Sequence, residues 1–121
     1  MPEQWARINV PAGATNVPMS SQVSTSFDDI KMIRSGSIVG LATRLTAAIT
    51  AGTLTVTVTK NGNPCVLGIV HAGGTGSVAT QAPGIDTYNA GDLIGIRFTT
   101  NAGFLPLSLN LEAWLEVLEA P

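Results

Sequence analysis

From Thr53 to Thr59 hydroxyl and aliphatic side chains alternate without a break, as Thr-Leu-Thr-Val-Thr-Val-Thr. Successive residues of a strand point to opposite faces, so Leu54, Val56 and Val58 line a dry side and the threonines a polar, uncharged one. The stretch from Ser37 to Ile49 also reads as a strand, its apolar face set by Val39, Leu41 and Leu45. Thr50-Ala51-Gly52 then turns the chain into Thr53, so the pattern predicts a β-hairpin between Gly36 and Thr59. Asn61-Gly62 follows at once. Both central positions of a type I′ turn need positive φ, which makes this dipeptide a strong hairpin signal. Pro64 to Val70 is expected as the returning strand.

Farther along, Ile94, Ile96 and Phe98 alternate with Leu93, Gly95, Arg97 and Thr99, after a turn at Tyr88-Asn89-Ala90-Gly91-Asp92. The last segment fits two periods. Leu107, Leu109, Leu111, Ala113, Leu115 and Val117 fit period two, with Glu112, Trp114 and Glu116 opposite; Leu111, Trp114, Leu115 and Leu118 fit a helical stripe. The alternation is the longer match and favours a strand. His71 to Pro83 is small and glycine-rich, with Val78 in a short edge strand. Gln22 to Phe27 is expected as a short strand followed by a turn at Asp28-Asp29, with a helical turn from Asp28 to Ile33, capped by Ser26, as the alternative.

Residues 1–19 read as an extended N-terminal arm, broken by Pro2, Pro11, Gly13 and Pro18 around one short strand from Gln4 to Val10. Residues 20–121 form the domain. About seven or eight short strands with turn chemistry between them mean an all-β chain, an antiparallel β-sandwich or barrel. A sheet this neutral is a hazard at its edges, so closure or pairing is expected.

Composition sharpens this picture. The 121 residues are 45% apolar, enough for one real core. Only 12% are charged, about half the usual ~25%. Arg44 is the only charged residue between Arg34 and Lys60, and Lys60 to Asp86 has none between its ends, with His71 the one histidine. A soluble monomer spreads charge over its exposed faces. Long neutral strands point to a surface that is covered by other protein. The net charge of −2 and six scattered basic residues argue against nucleic acid. No apolar run approaches the ~18 residues of a membrane span. No signal peptide is read at the N-terminus, and a lone Cys65 fits a reducing cytoplasm.

Candidate chemistry is thin. His71 is expected on the surface of its glycine-rich loop, with no nucleophile motif around Ser21, Ser24 or Cys65. Cys65 reads as a small buried hydrophobe. Asp28 and Asp29 would diverge in a strand, and Asp92 is expected to accept local backbone N–H groups. Glu112, Glu116 and Glu119 form an acidic C-terminal face, with Arg97 or Arg44 as the cations opposite. Gly73-Gly74-Thr75-Gly76 lacks the Lys-Ser/Thr of a phosphate loop. No catalytic residue, metal site or cofactor is predicted, and the chain is read as not an enzyme. A carbohydrate platform built on Trp or Tyr needs only one or two rings and stays open.

The runs Gly36-Ser37-Ile38-Val39-Gly40-Leu41, Ala51 to Val56, Lys60-Asn61-Gly62, Tyr88 to Ile96 and Leu111 to Val117 resemble the small jelly-roll proteins of tailed bacteriophages. Those serve as head decoration (cement) proteins and fibre knobs. The resemblance covers roughly residues 36–117 and rests on structural turns. It implies a jelly-roll-like sandwich, made in the host bacterial cytoplasm, that joins the virion as a homo-oligomer, commonly a trimer, on the major capsid protein. Trp5 and Ile8 in the arm and Trp114 on the last strand are the expected interface anchors. An arm that adds a strand to a neighbour's sheet is one device for such attachment. The alternative is a receptor- or carbohydrate-binding knob of a tail fibre, working through end loops such as residues 72–83 or 101–106.

Overall fold

A computed structural model describes residues 3–7, 10–21, 29–106 and 109–119. Among the described residues eleven strands run in chain order: β1 (Glu3–Arg7), β2 (Val17–Pro18), β3 (Ser20–Ser21), β4 (Ile30–Lys31), β5 (Gly36–Leu45), β6 (Leu54–Lys60), β7 (Asn63–His71), β8 (Gly76–Thr80), β9 (Asp86–Tyr88), β10 (Leu93–Thr100) and β11 (Leu111–Glu119). The described residues contain no helix. One sheet has the order β3-β1-β11-β5-β8, with β9 also on β5. The other has the order β2-β10-β6-β7, with β4 also on β10. All pairings are antiparallel, and the two sheets form a β-sandwich.

The core lies where the alternation puts it. Leu54, Val56, Val58, Ile94, Ile96 and Phe98 from one sheet, and Ile38, Leu41, Leu111, Ala113 and Leu115 from the other, are essentially closed to solvent. Each large aliphatic side chain buried this way contributes about 1.5–3 kcal/mol against the unfolded chain. From Leu111 the last segment is a strand, as its alternation predicted, while residues 109 and 110 precede the strand and 107 and 108 lie outside the described residues. Asn61 and Gly62 take φ of 52° and 84° in the turn between β6 and β7.

Several expectations are corrected. Residues 36–59 are not a hairpin: β5 and β6 belong to different sheets. Residues 46–53 carry the chain across the end of the sandwich, with Thr46 N–H donating to Asn110 O at 3.1 Å and Thr50 N–H to Leu105 O at 2.9 Å. Both strands are dry on one side, and those sides face each other rather than lying side by side. The apolar face of β5 also changes parity. Glu116 is opposite Gly40 and Val117 opposite Ile38, so Val39 is an extra, bulged residue. Ile38, not Val39, therefore joins Leu41 and Leu45 in the core. Ile30–Lys31 is a strand on β10, not part of a helical turn, and the strand expected over residues 22–27 lies outside the described residues.

The described part of the N-terminal segment is built into the sandwich. Glu3 to Arg7 pairs residue by residue with Leu115 to Leu111. Val17 and Pro18 pair with Phe98 and Arg97, while Val10 and Met19 are fully buried. The partner strand of β1 is thus the chain's own β11.

Candidate interaction surface

The charge-free stretch of the sequence becomes one corner of the sandwich, where β7 ends one sheet and β8 and β9 border β5 in the other. Exposed valines stand along it: Val66 is 74% exposed, Val70 68% and Val78 73%. Ile85 on the loop between β8 and β9 is half-exposed. No Asp, Glu, Lys or Arg lies between Lys60 and Asp86, and the one histidine there is buried. Single exposed apolar residues are ordinary, but four of them on one charge-free stretch of chain mark a surface suited to contact.

Two buried polar clasps hold this corner together. Between Thr57–Gly68 and Thr59–Pro64 the ladder is irregular: Val58 of β6 faces Cys65, Val66 and Leu67 of β7. That irregularity frees backbone donors, which a buried N–H tolerates poorly. Asp86 on β9 takes them, Oδ1 from Val66 N–H and Oδ2 from Leu67 N–H, both at 2.9 Å. Gln81 Nε2 donates to the same Oδ2 at 2.8 Å and to Ile38 O at 2.9 Å. Burial pushes the Asp86 carboxyl up, but the bonds from Val66, Gln81 and Leu67, with Lys60 nearby, outweigh it and hold the group below its usual value. The second clasp is His71. It is 3% exposed, at the end of β7, with Nε2 2.7 Å from Thr43 Oγ1 on β5. The expectation of a surface histidine in a loop is overturned, because the strand runs through residue 71 and turns its side chain inward. Burial lowers its pKa, favouring neutral imidazole.

Among the described residues, the groups weighed for chemistry do not gather into a site. Cys65 is half-buried, and burial first, then the Asp86 carboxylate, pushes its thiol up to about 11. It is held as the thiol, the unreactive form. Asp92 behaves as the turn predicts. Its Oδ2 accepts Asn89 N–H at 2.8 Å and its Oδ1 accepts Asn61 Nδ2 at 3.1 Å; these two bonds, the first leading, lower its pKa. The Asp29 carboxylate packs where a Cβ on Gly95 would stand, and Asp28 lies outside the described residues. Among the described residues no three His, Cys, Asp or Glu side chains gather as a metal site would require. The glutamates do not share one face. Glu112 is opposite Arg44 and Glu116 opposite Gly40, whereas Glu119 alternates to the other side and lies 3.9 Å from Arg34.

Of the expected anchors, Ile8 lies outside the described residues. Trp5 is in register with Ala113, and Trp114 with Gln4, so the two tryptophan positions alternate across the sheet. Trp114 is half-buried on the outer face of its sheet. With Glu116 it walls a groove of about 270 Å³, floored by Gly40 and Ala42 and closed by Val78 and Thr80. The register explains the groove: Trp114 is opposite Ala42 and Ala42 opposite Val78, so a small residue sits between two larger ones. Sequence reasoning found Trp114 and Val78 but not their common row. It also missed Asp86, although this is the carboxylate that ends the long neutral stretch.

No protein-family model matches the chain, and no curated protein is similar to it. The surface therefore has to be read from its own residues. No helix among the described residues is long and apolar enough to cross a membrane.

Proposed function

We propose that this chain is a non-enzymatic structural subunit of a virion, a jelly-roll-like protein of the capsid-decoration (cement) type that binds the major capsid protein as a homo-oligomer. The observation that carries this reading is the corner formed by β7, β8 and β9, which exposes Val66, Val70, Val78 and Ile85 from a stretch of chain that holds no Asp, Glu, Lys or Arg. Charge on a surface costs desolvation when it is covered; a neutral, apolar surface is covered at little cost. The mechanism is burial. A stable contact of this kind removes ~1,600 Å² in total and concentrates its strength in a few anchors. Trp114, beside its groove, is the described candidate.

Co-sedimentation with purified capsids tests the proposal. Retention with shells, and loss of retention on Trp114→Ala in a folded protein, is the expected result. A chain that never pellets with any shell overturns it.

A second reading, the receptor- or carbohydrate-binding knob of a tail fibre, draws on the same groove. Trp114, the Glu116 carboxylate and the Thr80 hydroxyl there offer an aromatic surface, an acceptor and a donor within one cleft. Binding on a glycan array that is lost with Trp114→Ala would favour it over the first.

A further inference from the structure

The neutral corner contains one strand edge that is open. In antiparallel pairs, residues alternate between those that exchange backbone bonds with the neighbour and those that point away. Leu45 N–H donates to Thr75 O at 2.7 Å and Gln81 N–H to Val39 O at 3.0 Å, and an unbroken register joins them, from Arg44–Gly76 to Gly40–Thr80. Odd-numbered residues of β8 therefore bond to β5. Gly76, Val78 and Thr80 aim their N–H and C=O groups away from it, and four of the five β8 residues are exposed.

The other described edges are blunted. β7 begins with Pro64 beyond its first residue, and its Val66 and Leu67 donors are taken by Asp86. β2 holds Pro18 and β4 holds Lys31, each in a two-residue strand, and β3, at the far edge of the same sheet as β8, is only Ser20–Ser21. β9 has three residues and carries Asp86. Proline, charge, brevity and irregularity are the usual devices against unwanted strand pairing. β8 has five residues, Gly-Ser-Val-Ala-Thr, with neither charge nor proline.

We propose that β8 pairs antiparallel with β8 of a second copy of this chain, across a twofold axis at Val78. The inference rests on the assembly reading above and names the surface that joins the copies. Three features select a second copy as the occupant. The outward groups are self-complementary: in this register Val78 exchanges bonds with Val78 of the other copy, and Gly76 with Thr80. A twofold contact brings each residue near its own kind, so a charged edge would repel itself and this uncharged one does not. No like charges meet at the seam either: the row Glu112–Arg44–Gly76 of one copy runs into Thr80–Gly40–Glu116 of the other, which leaves Arg44 and Glu116 four strand spacings, ~19 Å, apart. The apolar row Trp114–Ala42–Val78 continues into the same row of the second copy.

The test uses the full chain and three measurements. Light scattering of the wild type should give two copies of the 12.5 kDa chain. Val78→Lys sets two ammonium groups at the axis and should weaken association about a hundredfold. Since Val78 is exposed, its circular dichroism should match the wild type, and its urea midpoint should match at concentrations low enough for both to be single copies. Third, Val78→Cys in a Cys65→Ser background should give a disulfide between copies on mild oxidation. The Cα atoms of a hydrogen-bonded pair lie ~5.5 Å apart, inside the range a disulfide spans. A dimer indifferent to Val78→Lys, with no cross-link at residue 78, overturns the β8 seam and leaves assembly by another surface intact. A mass of three copies overturns the twofold axis. A single-copy mass at high concentration overturns both the seam and self-assembly.

Discussion

His71 Nε2 and Thr43 Oγ1 meet at 2.7 Å, a side-chain bond that ties the end of β7 in one sheet to β5 in the other, two residues before that strand ends. The imidazole is buried and its pKa lies below the ordinary 6.5. The unfolded chain therefore binds a proton before the folded one does, and stability rises with pH across that window. The stabilisation is complete above pH 6.5 and is lost as pH falls below it toward the folded pKa. Urea midpoints measured from pH 8 to pH 5 should fall on the acid side, and His71→Gln should flatten that slope. An unchanged slope in the variant would assign the acid loss to other groups. Asp86, also held low, adds a separate loss only below its usual 3.8.

Removing the Asp86 carboxylate leaves the part-buried Val66 N–H and the buried Leu67 N–H without acceptors. Each unsatisfied buried donor costs about 1–3 kcal/mol. Asp86→Ala should therefore lower stability by about 3 kcal/mol, and Asp86→Asn by less, since its amide keeps one acceptor oxygen. Denaturant titration reads both. Equal effects would mean that the two donors are not the source of the loss.

Gly36 and Gly73 should respond oppositely to alanine. Gly36 is opposite both Tyr88 and Glu119, and a Cβ there would stand 2.7 Å from the Tyr88 hydroxyl and 2.5 Å from Leu118 O. Backbone cannot yield as a flexible side-chain tip does, so Gly36→Ala should cost about 1–3 kcal/mol. Nothing lies within 4 Å of a Cβ on Gly73. Gly73→Ala should be neutral or stabilise by about 0.4–1 kcal/mol through the unfolded chain. Thermal unfolding of the pair checks the contrast.

Deleting residues 1–10 removes β1 from the edge of β11 and Val10 from the core. A loss of several degrees in the melting temperature is expected and, on the proposed capsid-decoration reading, weaker co-sedimentation with shells. A truncated protein with an unchanged melting temperature would instead fit an arm that only tethers.

What the chain reveals by reading alone follows its physics. Period two is a local property, so Thr53 to Thr59, Leu93 to Thr99 and Leu111 to Val117 were legible as strands, with the correct dry side down to Ile94, Ile96 and Phe98. The Asn61-Gly62 turn was legible because its conformation is demanded by its two residues. Neighbourhood is not local. Nothing in Ser37 to Thr59 says whether two dry faces will lie beside or opposite each other, and they lie opposite. The bulge at Val39 was hidden because its cause sits on β11, seventy-odd residues away. His71 looked like part of the glycine run that follows it, yet Thr43 supplies the partner that makes its burial tolerable. The candidate surface was legible as missing charge; its shape, with Val78, Ala42 and Trp114 in one row, needed the register.

The Asn61 side chain is held at both ends: Nδ2 donates to Asp92 Oδ1 at 3.1 Å, and Oδ1 accepts Leu93 N–H at 2.9 Å. An asparagine before glycine ages by cyclising, when the next amide nitrogen attacks its side-chain carbonyl carbon. Here that attack first requires both tethers to break and the side chain to swing away. A sequence that would be a clock in a loose peptide is thereby slowed, and peptide mapping of stored protein should find Asn61 intact long after the same dipeptide in the unfolded chain has become isoaspartate.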